Sequence, residues 1–368
     1  MKKSRFLHYA FLQKSLAVGL AVLGTAATVV VMRAQDPQAA PGGAKSTDAA
    51  KKGGRGGGGK GPPRTGVSTP GVRREMSALT PIATFPVEGN PDWQVTSEDA
   101  EWVTSGSKNT VTRLDPKTNM VAAVVTVPSP CSGLAFGFGS IWSPNCKPRG
   151  ETTVTPTVSR IDIKTNMVVA TIPVGPVQGE GGIAASPDGV WLVTDAKGVL
   201  SKIDPKTNKV VAEVTVPAGS AGVTYGEGYV WVSSPMANMM TAVDSKTNKV
   251  VYSVPVGPGP RFVTTGAGSA WSFNQGDGTV SRIDAKTGKL IVNIETGCPG
   301  GGGELAFGEG YVWATNSQIP ITQIDPKTNA VVKQWFGPGG DSLRIAFGSI
   351  FLSNLSLHTV TRYDVKQP

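Results

Sequence analysis

Several loops of this 368-residue chain carry charged residues that the matching loops elsewhere in the sequence lack. Asp92 lies in Asn-Pro-Asp-Trp, Glu180 in Gly-Glu-Gly-Gly and Arg261 in Gly-Pro-Arg-Phe, while Glu304 follows the glycines 300–303 and Asp341 and Arg344 share Gly-Gly-Asp-Ser-Leu-Arg. A second set of loops adds Asp195, Lys197, Asn274, Gln275 and His358. Arginine forks suit a polar or anionic ligand, and clustered carboxylates can hold a divalent cation or move protons. The ligand-binding candidates are therefore Asp92, Glu180, Arg261, Asn274, Glu304, Asp341 and Arg344. The competing reading is that such residues are solvated or brace one another across a rim. A cation site built from Glu180, Glu304 and Asp341 would have no ligands adjacent in sequence, so no metal is assigned, and no catalytic residue either.

Histidine is the side chain best matched to general-base work near neutral pH. The chain has two, and one of them, His8, precedes the apolar N-terminal stretch. His358 remains, in Leu-Ser-Leu-His-Thr, without a neighbouring carboxylate. Residues 300–303 are not a phosphate loop, because no Lys-Ser/Thr pair follows. Cys131 and Cys146 fall at the same end of one expected antiparallel strand pair, which suits a disulfide in an oxidising compartment. Cys298 is left over as a free thiol or a small buried hydrophobe.

Charge is divided unevenly along the chain. Residues 1–78 hold 13 Lys and Arg against 3 Asp and Glu, whereas the rest holds 22 against 23. With the larger part near neutral and no Lys/Arg run interleaved with aromatics, nucleic acid is not the expected partner. Lys2, Lys3, Arg5 and Lys14 precede an uncharged apolar stretch at residues 16–32, the layout of an export signal. Residues 1–34 are accordingly read as a signal peptide or an uncleaved membrane anchor. Residues 35–78, rich in Gly, Pro and basic side chains, are read as a disordered linker. The expected location is periplasmic or secreted, with membrane contact only through the N-terminal segment.

What positions the polar loops is a repeat. Asp115-Pro-Lys-Thr-Asn119 returns at Asp162, Asp204, Asp244, Asp284 (closing on Gly288), Asp325 and, truncated, Asp364, in steps of 47, 42, 40, 40, 41 and 39 residues. Trp102, Trp142, Trp191, Trp231, Trp271, Trp313 and Phe351 run in phase with it. The Asp accepts backbone N–H groups, and the closing Asn or Gly tolerates positive φ, so each phrase is a hairpin turn. Four short strands per repeat of about 40 residues make a propeller blade, and seven repeats make an all-β, seven-bladed β-propeller over residues 79–368. The last repeat ends before its outer strand, and residues 81–89 resemble the missing one. The N-terminal strand is therefore expected to complete blade seven and remove an open edge. The polar residues at the ends of the aromatic strands, Asn274 among them, suit hairpin caps as well as ligands.

Gly310-Tyr-Val-Trp-Ala-Thr-Asn316 and its sister segments, each followed by the Asp-x-Lys-Thr-Asn turn, resemble the YVTN-repeat, YncE-like bacterial propellers. The blade pattern is also similar to streptogramin (virginiamycin B) lyases. The expected protein is an exported, monomeric binding or scaffold propeller of the YVTN type without a cofactor. Its polar loops would receive a small molecule, glycan or protein at one mouth of the central channel. The second resemblance implies an enzyme using carboxylates and Mg²⁺, although the lyases' histidine chemistry has no counterpart around His358. Some YncE-like relatives imply DNA binding, which the neutral propeller disfavours.

Overall fold

A computed structural model of the chain describes residues 63–148 and 150–367. The signal or anchor segment, His8 and most of the expected linker lie outside these residues. Among the described residues the strands form seven sheets, each built on four antiparallel strands, and the two sheets that include an N-terminal strand depart from sequence order at their outer edge. The innermost strands are Pro91–Thr96, Ala135–Gly137, Ile183–Ser186, Val223–Gly226, Pro260–Gly266, Glu304–Gly308 and Leu343–Ala346. Each packs against the next, and blade seven's packs against blade one's, so the ring is closed. As the repeat required, the outer strand of blade seven is Pro81–Pro86, paired antiparallel with Thr359–Asp364.

Burial follows the repeat. The second strand of each blade, which carries Trp102, Trp142, Trp191, Trp231, Trp271, Trp313 or Phe351, is almost wholly buried, and all seven of these aromatic side chains are fully inaccessible. Outer strands alternate inward and outward, as in Lys249–Pro255. In the turns, Asp115 Oδ1 accepts from Lys117 N at 2.7 Å while Asn119 stands at φ 57°. Backbone donors aimed at these aspartates hold them below the usual carboxylate range, as at Asp115, Asp162 and Asp204.

The turn asparagine has a second task. Arg160, on the third strand of blade two, lies 4.9 Å from the Trp142 ring centroid. Its Nη1 donates to Pro205 O at 2.5 Å and Asn208 Oδ1 at 3.1 Å in the turn of blade three. Lys202 reaches Asn248, Arg282 reaches Asn329, and Arg362 reaches Asn119 in the same way, each over its own aromatic ring. Each staple combines a cation over a ring with a charge-assisted hydrogen bond, together about 2–3 kcal/mol. The Arg362 staple joins blade seven to blade one.

Blade four departs from this rule as a unit. Ala242 occupies the cation's position opposite Trp231. Tyr252 stacks on Trp231 instead, with centroids 6.5 Å apart, and donates to Lys286 O at 2.7 Å. Gly288 replaces the asparagine because a Cβ there would run into the Tyr252 ring.

Order begins ahead of residue 79. Arg73–Glu75 pairs in parallel with the outer strand of blade six, Ala330–Phe336, and Val72 is buried. Arg64 donates to Pro299 O and Ser317 O, and Val67 N donates to Gln334 Oε1. This segment is held by backbone and arginine hydrogen bonds with few apolar side chains, so its composition reads as a linker.

Candidate functional site

The innermost strands enclose a central cavity of about 350 Å³, lined by residues of all seven blades. Glu180, Arg261, Glu304 and Arg344 line it. Asp92, Asn274 and Asp341 do not. Asn274 is fully buried and donates to Thr279 Oγ1 at 2.8 Å and Ser281 Oγ at 2.7 Å, which closes its own hairpin. Asp341 offers its backbone carbonyl to Thr315 Oγ1 at 2.7 Å.

The four lining residues form two ion pairs. Arg261 Nη2 lies 3.2 Å from Glu180 Oε2. These residues belong to blades five and three, and the pair passes across blade four, where a Cβ at Gly222 would collide with the Arg261 carbonyl. Glu180 sits at φ 59°, and its N–H donates to Cys131 O at 2.7 Å. Cys131 is bonded to Cys146, with Cα atoms 5.7 Å apart, so the disulfide anchors the loop that presents Glu180.

The second pair is buried. Arg344 Nη1 lies 2.6 Å from Glu304 Oε1, with side-chain exposures of 22% and 5%. Ser342 Oγ and Leu343 N–H both donate to Glu304 Oε2. Burial pushes Glu304 above the ordinary carboxylate range, while Arg344 and these donors push it back.

Loop reading missed a third carboxylate, which is buried near this second pair without lining the cavity. Glu101 lies in the second strand of blade one, fully buried, and accepts from Thr96 Oγ1 at 2.6 Å. Its equivalents, each preceding the repeated aromatic, are Ile141, Val190, Val230, Ala270, Val312 and Ile350. Desolvation raises Glu101 to about 8, against hydrogen bonding from Thr96 and attraction from Arg344. Superposing the repeats would have exposed it as the single acid at an apolar register. Gln94 marks the same seam, donating through Nε2 to Ser342 O at 3.0 Å and Phe351 O at 3.3 Å.

Aromatic rings narrow the channel where the strands begin. Trp93 of blade one and Phe262 of blade five meet across it, with centroids 5.7 Å apart, and Trp93 Nε1 has no hydrogen-bond partner among the described residues. His358 is elsewhere, in an outer groove with Glu88, Lys108 and Val124. The carboxylates do not fit a divalent cation: Glu180 and Glu304 are each engaged by an arginine, and Asp341 is not beside them in the cavity. No group of three or more His, Cys, Asp or Glu close enough for a metal occurs among the described residues.

A closed ring of seven four-stranded blades around a charged channel defines a seven-bladed β-propeller with its candidate site on the axis. Residues 142–366 match the sequence profile of outer membrane protein assembly factor BamB (PQQ_2), more than half of the chain, and the chain belongs to that family. No curated protein matches it in sequence. Among solved structures it is similar to a streptogramin B lyase, at 19% identity and TM-score 0.61, over 76% of this chain and 94% of the lyase. It is also similar to the computationally designed Ika8 protein, at 13% identity and TM-score 0.57, over 76% of this chain and 99% of that one. At these identities the likeness is one of fold.

Proposed function

We propose that this chain is an exported binding propeller that holds a polar segment of a protein partner in its central channel. The observation that carries the reading is the convergence of two arginine–glutamate pairs, from blades three, five, six and seven, on one cavity. A structural ion pair is ordinarily placed on a rim, where it is worth little. Here the pairs line the interior, and Arg261 Nε is buried without a hydrogen-bond partner among the described residues. The family's name, an outer membrane protein assembly factor, favours a polypeptide over a sugar or a small metabolite. The basic, apolar N-terminus and the Cys131–Cys146 bond support an oxidising compartment outside the cytoplasm.

The test is site-specific photo-crosslinking in cells, with the reactive group at Thr264 in the channel or at Val211 on the exposed outer edge. A polypeptide captured from Thr264, and lost on Arg261→Ala, is the expected result. Capture from Val211 alone would place the interface on the rim and end the channel reading. The carboxylate and metal chemistry of a lyase would instead require a divalent ion to displace arginine from Glu180 or Glu304.

A further inference from the structure

Near the Glu304–Arg344 pair, blade one holds a buried group that the reading above leaves without a role. Among the described residues Glu101 Oε1 has no hydrogen-bond partner, although its side chain is fully buried. Arg344 faces it from blade seven and Glu304 from blade six, while Asp99 and Arg113 of its own blade pair with each other at 2.7 Å. Glu304 has its oxygens engaged by Arg344, Ser342 and Leu343 N–H. That leaves little acceptor capacity for a cationic ligand. Arg344, by contrast, uses Nη1 for both of its hydrogen bonds among the described residues, to Glu304 and to Leu343 O. A guanidinium has five N–H donors, and the Nε/Nη2 edge of this cavity-lining side chain matches a carboxylate in fork geometry.

We propose that this edge of Arg344 is a subsite for a carboxylate carried by a polypeptide, and that Glu101 behind it must hold its proton for the carboxylate to bind. The proposal rests on the channel reading and names the chemistry of its ligand. With Glu101 neutral, the charges of Arg344 and Glu304 balance, and an incoming carboxylate meets the free Arg344 edge without a net negative charge opposing it. Ionised Glu101 places an uncompensated negative charge against the same arginine and competes for it. Near neutral pH Glu101 is largely protonated, because its midpoint lies at about 8. Above that midpoint, binding must draw a proton from solvent onto Glu101, and affinity falls by the fraction of chains that hold it.

The experiment uses the full chain and two probes, acetyl-trialanine with a free C-terminal carboxylate and the same peptide as its C-terminal amide. The readout is the indole N–H resonance of Trp93, which lines the same cavity. The free acid is expected to bind more tightly than the amide, and its affinity to fall about tenfold between one pH unit below and one above the Glu101 midpoint. Glu101→Gln is expected to keep the preference for the acid and abolish its pH dependence. Arg344→Lys, which retains the charge but not the fork, should remove most of the preference. Equal binding of acid and amide would overturn the subsite and leave the channel reading standing, since crosslinking from Thr264 tests that separately. Undiminished pH dependence in Glu101→Gln would overturn the proton linkage. Failure of both peptides to shift Trp93 would overturn the proposal as a whole.

Discussion

Arg344 of blade seven holds Glu304 of blade six through a 2.6 Å contact, and the acceptor is a carboxylate only 5% exposed. Removing one partner of such a pair leaves a buried charge without compensation, which costs about 3–5 kcal/mol. Arg344→Gln should lie at the low end, near 3 kcal/mol, because water reaches part of the arginine site. The paired replacement Glu304→Leu with Arg344→Met should recover most of that loss, since two apolar side chains need no mutual compensation. Urea unfolding of the two variants makes the comparison, and equal losses would show the pair is not coupled.

Glu101 gives stability a sloping pH dependence. Its ordinary value is 4.5 and burial raises it to about 8, so between these limits the folded chain keeps a proton that the unfolded chain has released. The contribution is whole below the lower value, declines as pH rises and is lost above the upper one, by at most about 1.4 kcal/mol per unit. Glu101→Gln should therefore match the wild type in acid and exceed it in stability above about pH 8. Thermal unfolding across this range checks the sign. A gap that fails to open as pH rises would mean that Glu101 is not held protonated by the fold.

Legibility in the sequence followed repetition. Seven aspartate turns and seven aromatic positions specify strand order, and the truncated final repeat points to residues 81–89 as the closing segment, of which Pro81–Pro86 pairs with Thr359–Asp364. Departures confined to one blade were legible only where they fell in loops, as with Glu180, Arg261, Glu304 and Arg344. Glu101 opens the strand that carries a repeated tryptophan, outside the loops in which single-blade departures stand out. That Glu180 meets Arg261 across an intervening blade depends on side-chain reach over a channel, which no spacing along the chain encodes. The turn asparagines were read for backbone conformation alone. Their acceptance of the preceding blade's arginine is a contact between repeats, invisible within any one of them.

The blade-four exception should behave as one unit. Gly288→Asn alone drives a side chain into Tyr252 and should cost about 1–3 kcal/mol by overpacking. Adding Ala242→Arg and Tyr252→Ala recreates the arrangement of Arg160, Ala170 and Asn208 and should restore most of the loss. Denaturation midpoints of the single and triple variants decide the matter. A triple variant no better than the single would show that the staple is not portable between blades.

The disulfide should matter to both fold and channel. Its cysteines are separated by 15 residues, a loop whose closure is worth about 3 kcal/mol in the chain-entropy account. Cys146→Ser should lower stability by about that amount. It should also loosen the residue 131 carbonyl, which receives Glu180 N–H at 2.7 Å, and so weaken the Glu180–Arg261 pair. Hydrogen exchange at the Glu180 amide provides the readout. Unchanged protection there would confine the bond's effect to the unfolded chain.

Successive N-terminal truncations should separate an accessory strand from a closing one. Deletion through residue 78 removes the parallel strand Arg73–Glu75 and buried Val72, but blade six keeps its four antiparallel strands. Its cost should be moderate, about 2–4 kcal/mol, chiefly one buried aliphatic side chain and a few hydrogen bonds. Deletion through Gly89 also removes Pro81–Pro86, with Phe85 fully buried 6.2 Å from the Phe351 ring, and Val87 behind it. Loss of a core phenylalanine alone costs about 3–5 kcal/mol, and the exposed Thr359–Asp364 becomes an edge open to association. Because a whole domain is stable by only about 5–15 kcal/mol, this second chain should be largely unfolded or aggregated at temperatures where the first is native. Calorimetry with light scattering distinguishes them, and similar transitions for the two would mean that blade seven does not depend on the N-terminal strand for its closure.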